Sequence, residues 1–158
     1  MTRRIDKPDL EQGFRSQFAT TDPQAQTRPI VLASDMAFEL PSRALFDKAY
    51  AFVKASIPHE ETYAGIDHFD CDDFSYIFKG LLSKWYQENR PHDYPLAVGI
   101  CWGLFPGFGQ DLVHSMNWVI LDDGVLHWIE PQFVLSRDPS EAMRQSNKAR
   151  DRLNLAMV

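Results

Sequence analysis

The chain has few cysteines and no long apolar run, and these two absences limit its class. Only Cys71 and Cys101 occur in 158 residues, which are too few cysteines for a disulfide framework. This low count favours a reducing compartment. No apolar stretch approaches the roughly 20 residues that a membrane-spanning helix needs. The first residues also lack the apolar segment of a secretory signal. We therefore expect a cytoplasmic protein that does not enter a membrane.

Positive charge is also scarce. The sequence has 16 Lys and Arg against 22 Asp and Glu, a formal net charge of −6, so no nucleic-acid partner is expected. A chain of 158 residues that is 44% hydrophobic suits one packed core. We predict a polar N-terminal arm over residues 1–29 and a single domain over residues 30–158. Nothing in the sequence indicates an oligomeric state.

The spacing of apolar residues predicts two helices. Ser42 is a suitable N-cap for a helix over about residues 43–56. The second helix starts at Cys71, and its apolar residues recur at i, i+3, i+4, i+7, i+8 and i+11, which indicates one buried stripe. Asp70 is a suitable N-cap, and Asp73 lies where a capping box places its acid.

Three strands are predicted after the second helix, over about residues 96–102, 112–121 and 125–132. A short strand over residues 30–32 and a terminal helix within residues 139–155 are also predicted. Between the last two strands of the three, Leu-Asp-Asp-Gly favours a three-residue turn with Gly124 in the left-handed conformation. A two-residue turn would put His114 and Glu130 on opposite faces of the hairpin, whereas the three-residue turn puts them on one face with Gln132.

A cysteine at a helix start, a histidine at a strand start and an acid on the next strand form an order that suits nucleophilic catalysis. His114 would hold Cys71 as a thiolate paired with an imidazolium, and Glu130 would orient the ring. The alternative is that Cys71 packs without reacting, as half-buried cysteines usually do. Cys101 lies inside an apolar strand, and we expect it to serve packing only.

Three short segments carry a resemblance to a known family. Asp-Cys-Asp-Asp-Phe at 70–74, His-x-x-Asn at 114–117 and Ile-Glu-Pro-Gln at 129–132 resemble the calcium-dependent papain-like protease domain of the fairy-ring mushroom agglutinin. Related small bacterial and phage domains are similar as well. The resemblance covers about residues 60–135. It implies an α+β fold with a papain-like, transglutaminase-type core, in which the cysteine-bearing helix packs on a small antiparallel sheet.

The resemblance also implies roles for individual residues. Cys71 would be the nucleophile, His114 its base and Glu130 the third member of a catalytic triad. Asn117 and Gln132 are the candidates for supporting the site.

A metal site is implied by the same resemblance, at the two acids that follow the cysteine, Asp72 and Asp73, with calcium as the cofactor. Bound calcium would neutralise their charge beside the thiolate. The alternative is that these acids only cap the helix. Pro131 stands where the agglutinin has a metal ligand, so a complete shell is not carried over. The chain has no repeated lectin domain, and sugar binding is therefore not inherited.

Two functions follow from the sequence. The first is a calcium-dependent cysteine hydrolase, a peptidase or amidase that acts on a peptide or amide substrate. The alternative is a non-catalytic binding protein on the same scaffold, such as a phage or mobile-element accessory protein that engages a host protein partner or a small ligand.

Overall fold

The computed structural model describes residues 3–21, 28–57, 70–90, 93–108, 112–133 and 139–158. The helices are α1 (Lys7–Gln17), α2 (Arg43–Ser56), α3 (Cys71–Asn89) and α4 (Pro139–Ala142). The strands are β1 (Arg4–Asp6), β2 (Ile30–Leu32), β3 (Ala37–Glu39), β4 (Val98–Leu104), β5 (His114–Ile120), β6 (Leu126–Ile129), β7 (Met143–Gln145) and β8 (Arg152–Met157). Short 3-10 helices cover Pro106–Phe108 and Pro131–Phe133.

Six of the strands form the main sheet, in the order β2-β8-β4-β5-β6-β7. Its neighbours pair antiparallel except β2 and β8, which are parallel. β1 and β3 form a separate two-stranded antiparallel sheet. The strand β8 therefore lies inside the main sheet, between the edge strand β2 and the long strand β4.

Helices cover both faces of the main sheet. Successive side chains of a strand point to opposite faces, and both faces of this sheet carry apolar side chains that need to be buried. On one face, α1 packs Phe14 against Trp118, with ring centroids 5.0 Å apart, and Phe18 lies 5.4 Å from Trp128. On the other face, α2 and α3 bury a second apolar cluster that contains Tyr50, Phe74, Phe78 and Leu82. Trp118 and Trp128 are opposite one another in β5 and β6.

Both predicted helices are confirmed, and so are their caps. The Ser42 side chain accepts a hydrogen bond from the Leu45 amide at 3.2 Å. Asp70 accepts from the Asp72 amide at 3.3 Å, and Asp73 accepts from the Asp70 amide at 3.2 Å, which completes a capping box. At the starts of α2 and α3, these side chains accept hydrogen bonds from backbone amides that have no partner within the helix.

The three-residue hairpin turn is also confirmed. Gly124 has φ +83°, and its amide donates to the Leu121 carbonyl at 2.8 Å. The Leu121 amide donates to the Val125 carbonyl at 3.1 Å, so Leu121 and Val125 close the turn. This register brings His114 and Glu130 to the same side of the hairpin.

The predicted papain-like core with a small antiparallel sheet is wrong. The sheet has six strands and is mixed, and helices pack on both of its faces. The predicted terminal helix within residues 139–155 is wrong as well, since α4 ends at Ala142 and β7 and β8 follow. The physical reason is pairing with distant strands: β8 bonds to both β4 and β2, which outweighs weak local preference.

The predicted N-terminal arm contains β1 and α1. Leu10, Phe14 and Phe18 are spaced four residues apart and are each less than 5% exposed. A polar average composition conceals this narrow apolar stripe. The domain boundary at residue 30 stays a prediction. Among the described residues, no helix is both long and apolar enough to cross a membrane.

Candidate functional site

The start of α3 places Cys71 against the start of β5. The half-buried Cys71 sulfur accepts a hydrogen bond from the Ser115 amide, with the nitrogen 3.5 Å away. The Ser75 hydroxyl donates to the Cys71 carbonyl at 2.8 Å, one turn along the helix. These contacts hold the thiol at the junction of the helix and the sheet, next to His114.

His114 and Glu130 form a buried ion pair. Nε2 of His114 lies 2.6 Å from Oε2 of Glu130, and the two side chains are 9% and 0% exposed. The other carboxylate oxygen, Oε1, accepts a hydrogen bond from the Gln132 amide at 3.1 Å. Burial alone lowers the pKa of His114, but hydrogen bonds with Cys71 and Glu130 and the nearby negative charge outweigh it and raise that pKa to about 9. His114 is therefore an imidazolium at neutral pH.

Asn117 connects the helix that bears Cys71 to the sheet. Its buried Nδ2 donates to the carbonyls of Ser75 at 3.0 Å and Gly99 at 3.1 Å. The Ser115 hydroxyl donates to the Ser75 hydroxyl at 3.2 Å. Asn117 thus fixes the position of α3 relative to β4 and β5. These two hydrogen bonds do not involve the His114 ring.

The acidic residues at the start of α3 interact with the helix cap and with one another. One oxygen of Asp73 is engaged by the helix cap. Asp70 and Asp72 share a side-chain hydrogen bond, which lowers the pKa of Asp70 and raises the pKa of Asp72, where burial adds to the increase. Ligand atoms of Asp70, Cys71 and Asp72 lie within 4.8 Å of one another. The structure thus brings Asp70 and Asp72 together, whereas the sequence favoured Asp72 and Asp73.

An aromatic pair beside these acids was missed by sequence reasoning. The Tyr76 and Trp102 ring centroids are 6.3 Å apart, and Tyr76 is 49% exposed. Tyr76 follows Asp72 by one helical turn, and Trp102 pairs with Ser115 across β4 and β5. A signal was present, because Tyr76 is a large aromatic residue that lies off the buried stripe of α3. We call Asp72, Tyr76 and Trp102 the aromatic surface.

The family comparison covers most of this site. The model of the family described as "Agglutinin C-terminal" matches residues 44–134, more than half of the chain. The chain belongs to the agglutinin C-terminal family. The matched range runs from α2 through the 3-10 helix after β6, so it contains Cys71, His114 and Glu130. No curated protein sequence gives a significant match.

Two solved structures share the fold of this chain over nearly its whole length. One is described as the PSL1a-E64 complex, with a TM-score of 0.67, 19% identity and coverage of 98% of this chain and 50% of that one. The other is Polyporus squamosus lectin bound to a human-type influenza-binding epitope, with a TM-score of 0.64, 19% identity and coverage of 98% and 49%. The chain thus spans about half the length of the solved chains that it matches.

These findings overturn the main functional expectation. Membership of the agglutinin C-terminal family and a fold shared with a lectin replace the papain-like cysteine protease domain. The expected cysteine hydrolase, its enzyme class and its peptide or amide substrate are therefore wrong, and the alternative of a non-catalytic binding protein agrees better. The Polyporus squamosus lectin is described with a bound glycan epitope. The roles of the individual site residues stay a prediction.

Proposed function

We propose that this agglutinin domain is a non-catalytic ligand-binding domain and that its ligand is a small saccharide. The single observation that carries the choice of ligand is the aromatic surface, where the exposed Tyr76 and the half-buried Trp102 form a ring pair beside carboxylates. Family membership and the fold shared with a lectin support the binding class.

The chemistry of the aromatic surface suits a sugar ring. The apolar face of a pyranose, lined by C–H groups, can pack on Tyr76 or Trp102, which present apolar rings with polar edges. Asp72 lies one helical turn from Tyr76, so its carboxylate and the ring are neighbours on α3. A carboxylate accepts strong hydrogen bonds from ligand hydroxyls. Stacking and polar contacts can therefore act on one ligand together.

We place Cys71, His114 and Glu130 in the same binding site, as its polar floor. Ser115, whose amide reaches the Cys71 sulfur, pairs with Trp102 and follows His114 in the chain. The imidazolium is hydrogen-bonded to both Glu130 and Cys71, so it fixes the shape and the charge of this floor. Asn117 and Gln132 act as positioning residues, by the contacts that join them to α3 and to Glu130.

The probe for this proposal is the trisaccharide Neu5Aca2-6Galb1-4GlcNAc, which the Polyporus squamosus structure contains, alongside its component sugars. We expect saturable binding of at least one of them by calorimetry. Trp102→Ala and Tyr76→Ala should each weaken it by about tenfold or more, equivalent to about 1.4 kcal/mol.

Tyr94→Ala is the matched control, because Tyr94 is half-buried and contacts Arg4 outside this surface. Affinity in this variant should equal that of the parent protein. The proposal fails if no saccharide binds, or if binding survives both substitutions in the aromatic surface.

We also propose a calcium ion at the start of α3. Asp72 and Asp73 stay the proposed ligands, and the structure adds Asp70. Calcium prefers about six to eight oxygen ligands, so water would complete a shell of carboxylates. Sulfur is a poor ligand for calcium, and Cys71 is left out of this set.

Thermal unfolding tests the calcium proposal independently of saccharide binding. Calcium chloride, compared with chelator, should raise the unfolding midpoint of the parent protein, because the ion binds the folded state. The midpoint of Asp72→Asn should be the same in both solutions. Asp93→Asn, which removes an exposed acid elsewhere, should respond as the parent does. An equal response in all three proteins, or none in any, contradicts the proposal.

The cytoplasmic location is kept as a proposal. It is supported by the two cysteines, which are both free thiols.

A further inference from the structure

A cavity of about 550 Å³ lies between the N-terminal elements and the β5–β6 hairpin. Its volume is within the range of small-molecule sites. We call it the N-terminal cavity. Its lining residues come from β1, α1 and the hairpin, and from the segment at and after the end of β7. None of them belongs to the aromatic surface or to the Cys71, His114 and Glu130 group.

The floor of the N-terminal cavity is apolar. Leu10 and Phe14 of α1 and Phe18, directly after it, line the cavity together with Leu40 and Leu126. These side chains belong to the core, and none is more than 9% exposed. The apolar part of a ligand that covers this floor would be removed from water. The protein would need little rearrangement, since the surface is already formed.

Space remains because α1 carries a glycine here. Gly13 lines the N-terminal cavity. A Cβ at this position would meet only the Gln17 side-chain amide, at 3.9 Å. Any longer side chain at position 13 would therefore extend into open space at the cavity.

The rim of the cavity carries excess positive charge in a protein of net charge −6. Its charged side chains are Arg3, Arg4, Lys148 and Asp9. Arg4 is paired with Asp6 at 3.5 Å. Arg3 donates to the Asp122 carbonyl at 2.8 Å. Across the residues that the structure describes, neither Arg3 nor Lys148 has an acidic side chain as partner.

We propose that the N-terminal cavity binds a small monoanion with an apolar body, such as an aryl or alkyl carboxylate or sulfonate. The body covers the floor formed by α1 and the hairpin, and the anionic group lies at the rim beside Arg3 and Lys148. Two cations without acidic partners favour an anion, and Asp9 disfavours a dianion. This site is separate from the saccharide site and does not depend on it.

Two fluorescent probes of matched shape test the proposal. 1-Anilinonaphthalene-8-sulfonate carries the anion, and N-phenyl-1-naphthylamine has the same ring system without charge. We expect saturable binding of the sulfonate at one site, with affinity about tenfold or more above that of the neutral probe. Added salt should weaken sulfonate binding. Equal affinities, or no saturable binding of the sulfonate, overturn the proposal.

Substitution at Gly13 locates the site. Gly13→Leu fills the cavity opening and favours the helix, so lost binding would not reflect a damaged α1. Gly80→Leu is the control, the same change at an exposed position of α3 with open space around it. We expect the first variant to lose sulfonate binding and the second to retain it. Retention by Gly13→Leu places the probe elsewhere and refutes the site.

The rim charges are tested separately. Arg3→Gln combined with Lys148→Gln should lower the sulfonate affinity by about tenfold and leave that of the neutral probe unchanged. Near-ultraviolet circular dichroism checks that each variant keeps the packing of its tryptophans. Unchanged sulfonate affinity in the double variant refutes recognition of the anion.

Discussion

At the scale of single residues, the buried pair of His114 and Glu130 makes stability depend on pH. The pKa of His114 rises from 6.5 to about 9 on folding, so the folded state binds the proton more tightly. The stabilisation is fully present below pH 6.5 and is lost as the pH rises through 9. We expect urea unfolding to show a loss of about 2 kcal/mol between pH 6.5 and pH 9.5.

Glu130→Gln supplies the comparison for this pH effect. It removes the carboxylate charge and keeps the shape of the side chain, so the pKa of His114 should fall. The imidazole titration, followed by nuclear magnetic resonance, should move to lower pH by more than about one unit. An unchanged midpoint would show that Glu130 does not set the protonation of His114.

The two cysteines should differ sharply in their reaction with iodoacetamide. Cys71 is half-buried next to a charged imidazole, whereas Cys101 is fully buried, and burial raises the pKa of Cys101 well above its usual value. Thiolate is the reactive form. Mass spectrometry of the native protein should find Cys71 labelled and Cys101 protected. His114→Ala should slow the labelling of Cys71, and equal labelling of both cysteines in the parent protein would contradict this account.

At the scale of elements, two glycines should respond in opposite directions to alanine. Gly124 has φ +83° in the hairpin turn, where an L side chain is strained by about 1–2 kcal/mol. Gly80 lies in α3 with nothing within 4 Å of an added Cβ, and alanine favours a helix by about 1 kcal/mol. Gly124→Ala should lower the free energy of unfolding, and Gly80→Ala should raise it. Chemical denaturation of both variants measures the sign of each change in the free energy of unfolding. If the two changes have the same sign, this account of the two glycines is contradicted.

Elements with a local signal were predictable from the sequence. Asp70 and Asp73 predicted the start of α3. Leu-Asp-Asp-Gly predicted the turn that sets the register of His114 and Glu130. The β8 strand was missed, because its polar and apolar residues alternate over only Arg152–Leu155 and its structure depends on pairing with β4 and β2. The position of Tyr76 off the buried stripe of α3 was visible in the sequence, but its contact with Trp102 was not, because the two rings meet only after α3 packs on β4.

At the scale of the whole molecule, α1 contributes to the main core. Phe14 is 2% exposed and contacts both Trp118 and Trp128. Phe14→Ala should therefore lower the free energy of unfolding by about 3–5 kcal/mol, from lost apolar burial and the void that remains.

Gln12→Ala is the control for this change, since Gln12 is an exposed residue of the same helix. Its effect should stay within about 0.5 kcal/mol. If Phe14→Ala is equally mild, residues 7–17 do not belong to the cooperative unit, and the predicted N-terminal arm would be a better description of them.

The parallel pairing of β2 with β8 has a consequence for synthesis on the ribosome. Ile30 lies opposite Leu155, so β2 emerges long before its partner strand has been translated. Until then Ile30 and Leu32, both more than half exposed even in the finished protein, present an unpaired strand edge. Such contacts between distant parts of a chain form slowly, and exposed edges promote aggregation. The nascent chain is therefore most vulnerable between the synthesis of β2 and that of β8, and it depends on residues 152–157 to close its sheet.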